Sequence, residues 1–263
     1  VSLPGSTTTS CSGSTQIVFD PFPIAAKLDA GATLVQLYTG LIYRGHRIVN
    51  WDPKGQTTIS DDEIIHEPRK AMMYTFKYAH DFPIAISTTR PETKVGDVAV
   101  AVHPEDDRYK QYVGKEYDVT FCGAPLHIKI IADVAVEKDF GTGALGVTPA
   151  HSAIDWEMAD RHGLTRPQVI NEYAKMTGIP EASPVFGKKV GEAREIIIAW
   201  LRELELLVEE KEIDQNVATA ERTGGIIEPL PKLQWFIDVN KEFTIPHSEI
   251  PGIASGSTTT LKE

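Results

Sequence analysis

Two polar clusters hold most of the side chains that could do chemistry. The first, Thr88-Thr89-Arg90-Pro91-Glu92-Thr93, sets three hydroxyls beside one cation and one anion around a proline. Hydroxyls both donate and accept, so this segment suits a ribose or an adenine edge. It equally suits a hydroxyl-rich turn in which Arg90 and Glu92 pair with the scaffold. The second cluster runs from Gly141-Thr142-Gly143 through Thr148, His151 and Ser152 to Asp155-Trp156. Its glycines let backbone approach a ligand closely. Asp155 could bind a cation and His151 could orient a water. A local reading competes: Ser152 followed three residues later by Asp155 fits a helix capping box, and the helix dipole favours an acid in the first turn. On the sequence, Asp155 is a cap or a ligand, and His151 a water-orienting group or part of a helix start.

The commoner catalytic signatures are missing. Gly141–Gly146 spells Gly-x-Gly-x-x-Gly but turns into a strand instead of linking a strand to a helix, and no Gly-x-x-x-x-Gly-Lys-Ser/Thr occurs, so phosphate cradles are unsupported. There is no Gly-x-Ser-x-Gly nucleophile elbow, and neither cysteine sits in a catalytic motif. The eight histidines are scattered; His151 and His162 lie eleven residues apart, which is not the spacing of a helical zinc site, so no metal is expected.

The elements that must position these clusters read as short strands and a few helices. Ile48–Trp51, Met73–Tyr78 and Ile84–Ile86 are strand-like, the last running into the threonine cluster. Asp97–His103 is near-continuously apolar, as for a strand covered on both faces. Leu126–Ile131 alternates, and Gly141–Gly143 turns into a strand over Ala144–Thr148. A helix is expected from about Ala153 to His162, closed by Gly163, and a longer one from about Glu192 to Glu210, with Ile197, Leu201, Leu204 and Val208 on one face. Short apolar segments follow, broken by Pro229 and Pro231. The pattern predicts an α+β domain, a β-barrel with helices on its flank.

Composition limits the partners. The 263 residues carry 26 Lys+Arg against 37 Asp+Glu, a net charge of −11. Such a chain cannot hold nucleic acid by non-specific electrostatics, although it could read a nucleic-acid end if a larger parent supplied the bulk of the affinity. No run reaches the ~18 apolar residues of a membrane span. Two cysteines, Cys11 and Cys122, support neither a disulfide framework nor a cysteine-rich zinc module, and Val1–Gly31 has no signal-peptide pattern, so the expected setting is the reducing cytoplasm. The Gly-Ser-Thr-Thr-Thr tracts at Gly5–Thr9 and Gly256–Thr260 read as flexible ends outside the fold.

Taken together and in this order, the two clusters resemble the editing domain inserted into class I aminoacyl-tRNA synthetases of the valyl, isoleucyl and leucyl group. Thr88–Thr93 is similar to that domain's threonine-rich peptide, and Gly141-Thr142-Gly143-Ala144 with His151 and Asp155-Trp156 to its second motif. Asp97–Tyr109, Val147–His151, Arg161–Leu164, the flanks Gly40–Gly45 with Val49–Trp51, and Ile227–Pro229 with Gln234–Phe236 resemble the valyl branch. The similarity covers roughly residues 34–243.

The resemblance implies a distorted β-barrel editing domain with flanking helices on a two-stranded β-ribbon. Residues 34–70 would be the outgoing ribbon, 71–215 the editing domain, 216–243 the returning ribbon, 244–263 a flexible tail and 1–33 an unmatched flexible segment. Arg44–Ile59 and Ala218–Val239 would form the ribbon itself. The implied activity is hydrolysis of misacylated tRNA, foremost threonyl-tRNA(Val); the alternatives are an isoleucyl- or leucyl-type editing domain and a non-catalytic module that binds the tRNA 3′ end. Asp155 would anchor the substrate ammonium or hydroxyl with Thr148 beside it, and His151 could orient water. Thr88, Thr89 and Thr93 would hold the terminal adenosine and its ester, Arg90 and Glu92 would stiffen that loop, and Phe140 and Trp156 would shape the pocket with Gly141, Thr142 and Gly143. No His-Ile-Gly-His or Lys-Met-Ser-Lys-Ser occurs, so no amino-acid activation and no cofactor is expected; ATP and magnesium would serve a synthetic fold outside this chain. The implied partners are a mischarged tRNA 3′ end and the rest of a parent synthetase. Three departures stand out: Asp52, Gly55, Ala220 and Thr223 replace the zinc-binding cysteines of some relatives, Gly146 replaces a lysine, and Ser152 an aspartate.

Overall fold

The computed structural model describes residues 42–244 and 258–260. Among them are twelve strands and two α-helices, a strand-rich mixed architecture. The chain divides into two compact units, His46–Gln234 and the two ends taken together. In the unit of the ends, β11 (Phe243–Thr244) pairs antiparallel with β12 (Thr258–Thr259). The tract expected to be a flexible tail therefore contributes a strand. Its counterpart at Gly5–Thr9 lies outside the described residues.

Four sheets account for the strands, and none closes on itself among the described residues. The expected barrel is thus not sealed by hydrogen bonds: β4 (Ile86–Thr88) packs beside β8 (Ala144–Val147) but pairs with β3 (Ile64–Phe76) instead. β3 runs antiparallel to β9 (Leu207–Ala220) over its whole length. On its opposite edge β4 covers only Tyr74–Phe76, so Pro68 falls where β3 is an edge strand, a place that tolerates proline. The four-stranded sheet has the order β6 (Glu116–Phe121), β7 (Ala124–Ala132), β5 (Ala99–Val102), β8, with β5 parallel to β7 and antiparallel to β8.

β5 shows why its sequence is apolar throughout. Val100 and Val102 face the larger core, whose aromatic centre stacks Phe76 on Phe121 with ring centroids 5.4 Å apart. Ala99 and Ala101 face a second core with Val147 and Met158. Both faces are covered, as the pattern predicts. Helix α1 (Ala153–His162) closes on Gly163, whose φ of 64° is the left-handed cap that glycine adopts without a steric cost. Helix α2 (Val190–Glu203) buries Ala193, Ile197, Ile198 and Leu201.

The expected continuation of α2 to Glu210 is a correction. Glu205 takes a positive φ of 53°, Leu206 folds back onto the core, and Leu207 begins β9. Leu204 and Val208 are exposed, so a helical stripe through them would have had nothing to cover. The apolar spacing was accidental there, and edge pairing with β3 won.

β1 (Ile42–Asp52) pairs antiparallel with β2 (Thr57–Ile59) and is flanked on its other side by β10 (Glu228–Ile237). The segments expected to make a two-stranded ribbon thus hold a three-stranded sheet and, at Ala218–Ala220, the end of β9. At the former cysteine places, Asp52 is fully buried and accepts from Thr223 Oγ1 at 2.6 Å and from Lys54 N at 2.9 Å. Lys54 Nζ in turn donates to Thr223 O. A Cβ on Gly55 would lie 3.2 Å from Thr223 Cγ2, with the Asp52 carboxylate closer still. A hydrogen-bonded carboxylate knits the two segments there.

Candidate functional site

The sheet brings the two clusters together. β4 ends at Thr88, and the chain then winds through a buried 3-10 segment, Pro91–Gly96, into β5. β8 lies antiparallel to β5 with Ala99 opposite Val147, which sets Thr148 beside that segment. Thr148 Oγ1 stands 3.5 Å from Thr93 Oγ1, although fifty-five residues separate them in sequence. In front opens a cleft of about 340 Å³ lined by Ser87, Val136, Glu137, Phe140, Ser152 and Asp155 among others.

Asp155 sits in the first turn of α1, and the geometry separates its two readings. The cap is supplied by Ser152, whose Oγ accepts from Asp155 N at 3.3 Å. The Asp155 carboxylate does not complete the box; its Oδ2 accepts from Thr148 N at 2.8 Å, and the residue lines the cleft. Burial pushes this carboxyl up from the ordinary range, opposed by the Lys94 charge, the Thr148 amide and Ser152. A partly dry carboxylate at the rim of a cleft is a strong acceptor for an ammonium or hydroxyl.

The threonine cluster divides. Arg90 donates to Glu92 at 3.2 Å and to Glu228 at 2.5 Å, and Arg194 of α2 grips Glu92 through two bonds of 2.8 Å. Burial pushes Glu92 up, but Arg194 and Arg90 outweigh it and hold the carboxyl below its ordinary range. Arg90 and Glu92 are therefore committed to the scaffold, which fixes the loop. Thr88 Oγ1 accepts from Arg90 N, Thr93 Oγ1 donates to Arg90 O, and Thr89 Oγ1 accepts from Gln215 of β9 at 3.4 Å. Thr88 and Thr89 remain partly exposed, whereas Thr93 is buried.

Of the other expected residues, Phe140 and Gly143 line the cleft, whereas Thr148 and Trp156 do not. Thr148 is 1% exposed, and its hydroxyl is held by Lys94 and Asp97. Trp156 does not line the cleft; Arg166 covers its ring at 4.4 Å. Phe140, 58% exposed, stands at the rim. The Gly141–Gly143 turn is pinned by Tyr109, whose hydroxyl donates to Thr142 O at 2.7 Å. Gly141 has a φ of 57° and lies so close to Ser87 that a Cβ would come within 2.6 Å of the Ser87 Cβ. Only glycine lets the turn meet β4.

His151 is a correction. Its Nε2 accepts from Val169 N at 2.9 Å and Ile170 N at 3.1 Å, and its Nδ1–H donates to Pro229 O at 3.2 Å. No ring nitrogen remains to orient water; the side chain staples three backbone segments. Burial, with Arg90 nearby, lowers its pKa from 6.5 to about 3. Unfolded chain thus binds the proton more readily, and stability is lost as pH falls from about 6.5 toward 3, on the order of 3 kcal/mol by about pH 4. Thermal unfolding at pH 7 and pH 4 checks this. The drop in Tm between the two is expected to shrink in His151→Gln, and an unchanged drop would contradict the neutral-staple role.

A second group was not anticipated from the sequence. Lys94, Asp97 and Tyr78 are buried behind Thr148, with Lys94 Nζ 3.1 Å from Asp97 Oδ1 and the Tyr78 hydroxyl bonded to Asp97 Oδ2. Burial raises the pKa of Asp97, opposed chiefly by Lys94, and raises Tyr78 strongly, with Asp97 adding to it. The available signal was an ionisable pair three residues apart, Lys94 and Asp97, at the head of an otherwise apolar run that ends at Val102. Gly146 belongs to this group: a Cβ there would lie 2.5 Å from the Tyr78 hydroxyl and 2.9 Å from Ile86 Cδ1.

Comparison with known proteins follows the same residues. The family described as tRNA synthetases class I (I, L, M and V) matches residues 26–250. The chain belongs to that family. This synthetase-family chain is 44% identical over 207 residues to a valine–tRNA ligase of Bacillus anthracis, covering 77% of the chain and 23% of that protein. It is 45% identical to a valine–tRNA ligase of Latilactobacillus sakei subsp. sakei (strain 23K), and 42% to one of Staphylococcus epidermidis (strain ATCC 35984 and its equivalents), each over the same shares. The class I synthetase chain therefore spans about a quarter of the length of the curated relatives it matches. Among the described residues, no helix is long and apolar enough to cross a membrane.

Proposed function

We infer that this chain is the post-transfer editing domain of a valyl-type synthetase, hydrolysing the ester of misacylated tRNA, foremost threonyl-tRNA(Val). The reading takes residues 71–215 as the editing domain, with residues 34–70 and 216–243 leading to and from a synthetic fold elsewhere in the parent, in the cytoplasm. The observation that carries it is Asp155: a buried carboxylate facing a small cleft, its backbone capped by Ser152 so that its charge is left for a ligand.

The need for such a site is physical. By an established figure, a hydrophobic valine pocket rejects threonine only about a hundredfold, because the two are nearly isosteric. A polar pocket can instead require the hydroxyl. Valine would leave its polar groups unpaired at about 1–3 kcal/mol.

In this reading Asp155 takes the ammonium or the threonine hydroxyl, and the partly exposed Thr88 and Thr89 meet the terminal adenosine. Glu92, Arg90 and Arg194 keep that loop rigid. Water adds to the ester carbonyl and the ribose oxygen leaves with a proton, giving free amino acid and deacylated tRNA. No side chain beside Asp155 is placed as a general base; by family analogy, the neighbouring ribose hydroxyl would position the water, and orientation would supply most of the rate. With a net charge of −11, most tRNA affinity has to come from the parent. The lifetime of threonyl-tRNA(Val) tests the reading. Added chain shortens it if the site hydrolyses, whereas a longer lifetime identifies a 3′-end binding module.

A further inference from the structure

We propose that Lys94 is a positioning residue of this site, its ammonium fixing the Thr148 turn that Asp155 leans on and supplying the positive charge behind the carboxylates of Asp97 and Asp155. Lys94 is 4% exposed, and its Nζ donates to Gly146 O at 2.7 Å, Thr148 Oγ1 at 2.8 Å and Asp97 Oδ1 at 3.1 Å. Three ammonium hydrogens meet three acceptors. The Thr148 hydroxyl, having accepted from Lys94, passes its own hydrogen to Asp97, as does the Tyr78 hydroxyl. Such an inventory closes with Lys94 charged and Asp97 ionised. Thr148 N then donates to Asp155 Oδ2 at 2.8 Å, so the ammonium is two bonds from the carboxylate at the cleft.

The cation has to come from this place. No side chain can be built on Gly146 without meeting the Tyr78 hydroxyl and Ile86, so β8 offers only its carbonyl and the 3-10 segment provides the charge. The groups bearing on Asp155 are Lys94 from that segment, Tyr78 from the stretch after β3, the Thr148 amide from the end of β8 and Ser152 from its own helix start; Glu137 shares the cleft, and Asp97 shares Thr148 with it. Lys94 is the cation whose charge bears on both carboxylates.

The catalytic consequence rests on the editing reading, but the positioning does not. A carbon-13 titration of the aspartate carboxyls in the 263-residue chain, with Asp155→Asn assigning the resonance, reads it without substrate. Lys94→Gln keeps hydrogen-bond donors toward Gly146 and Thr148 but drops the charge. The Asp155 midpoint is expected to move to higher pH, with Lys94→Arg moving it back. Asp97→Asn is expected to move it the other way, and provides a second measurement if Lys94→Gln fails to fold. Threonyl-tRNA hydrolysis by Lys94→Gln should fall about 10- to 100-fold in kcat/KM. An Asp155 midpoint unmoved in Lys94→Gln, or unmoved in Asp97→Asn when the former does not fold, overturns the proposal. A moved midpoint in a chain that hydrolyses no ester upholds Lys94 and rejects the editing reading.

Discussion

Asp155→Asn is expected to remove threonyl-tRNA hydrolysis almost entirely while leaving the fold nearly as stable. An asparagine keeps the size, and its amide oxygen can still accept from Thr148 N, the bond that Asp155 Oδ2 makes at 2.8 Å. What is lost is the charge at the cleft, worth about 2–4 kcal/mol of transition-state stabilisation, or roughly 30- to 1000-fold in rate. Asp155→Ala should be equally inactive but less stable, since it orphans the buried Thr148 amide at about 1–3 kcal/mol. Helix capping contributes little to either result, because Ser152 supplies it. Single-turnover deacylation and thermal unfolding, measured on the same samples, separate the effects. Both variants hydrolysing at close to the parent rate would make Asp155 a structural residue and void the site.

The largest effect on stability is expected at Glu92. Its side chain is fully buried between Arg90 and Arg194 and also links, through Arg90, to Glu228. Glu92→Ala leaves two guanidiniums facing each other around a void. Removing one member of a buried ionic group typically costs about 3–5 kcal/mol; because Arg194 is 38% exposed and water can reach it, the lower end, roughly 3 kcal/mol, is expected. The Arg partners hold the Glu92 carboxyl below its ordinary 4.5, so this stability is present above that pH and fades as pH falls through the lowered value. Urea unfolding at pH 7 measures the loss. A midpoint within error of the parent would show that the loop is held by its hydroxyls rather than by charge.

These two residues show what the sequence could and could not convey. The strand over Asp97–His103 and the helix closed by Gly163 were legible, because burial on both faces and a glycine cap leave local signatures. The meeting of Thr93 with Thr148 was not, since it depends on β5 pairing with β8, a long-range register with no local mark. For Glu92 the loop-stiffening role was legible, but its second partner, Arg194, lies on a helix 102 residues away. His151 failed as a water-orienting group for a related reason: its three backbone partners come from Val169, Ile170 and Pro229, which nothing in its neighbourhood announces. Lys94 and Asp97 were visible as charges in an apolar run, yet only the fold shows that they answer each other.

The central claim, that this cleft destroys a mischarged ester, is tested most directly by hydrolysis of threonyl-tRNA(Val), valyl-tRNA(Val) and isoleucyl-tRNA side by side with the same chain. The account predicts that the threonyl ester is cleaved fastest and that valyl-tRNA is spared by about 1–3 kcal/mol, roughly 5- to 150-fold, because valine cannot satisfy a polar pocket. Equal cleavage of all three, preference for the valyl ester, or decay no faster than in buffer would contradict it.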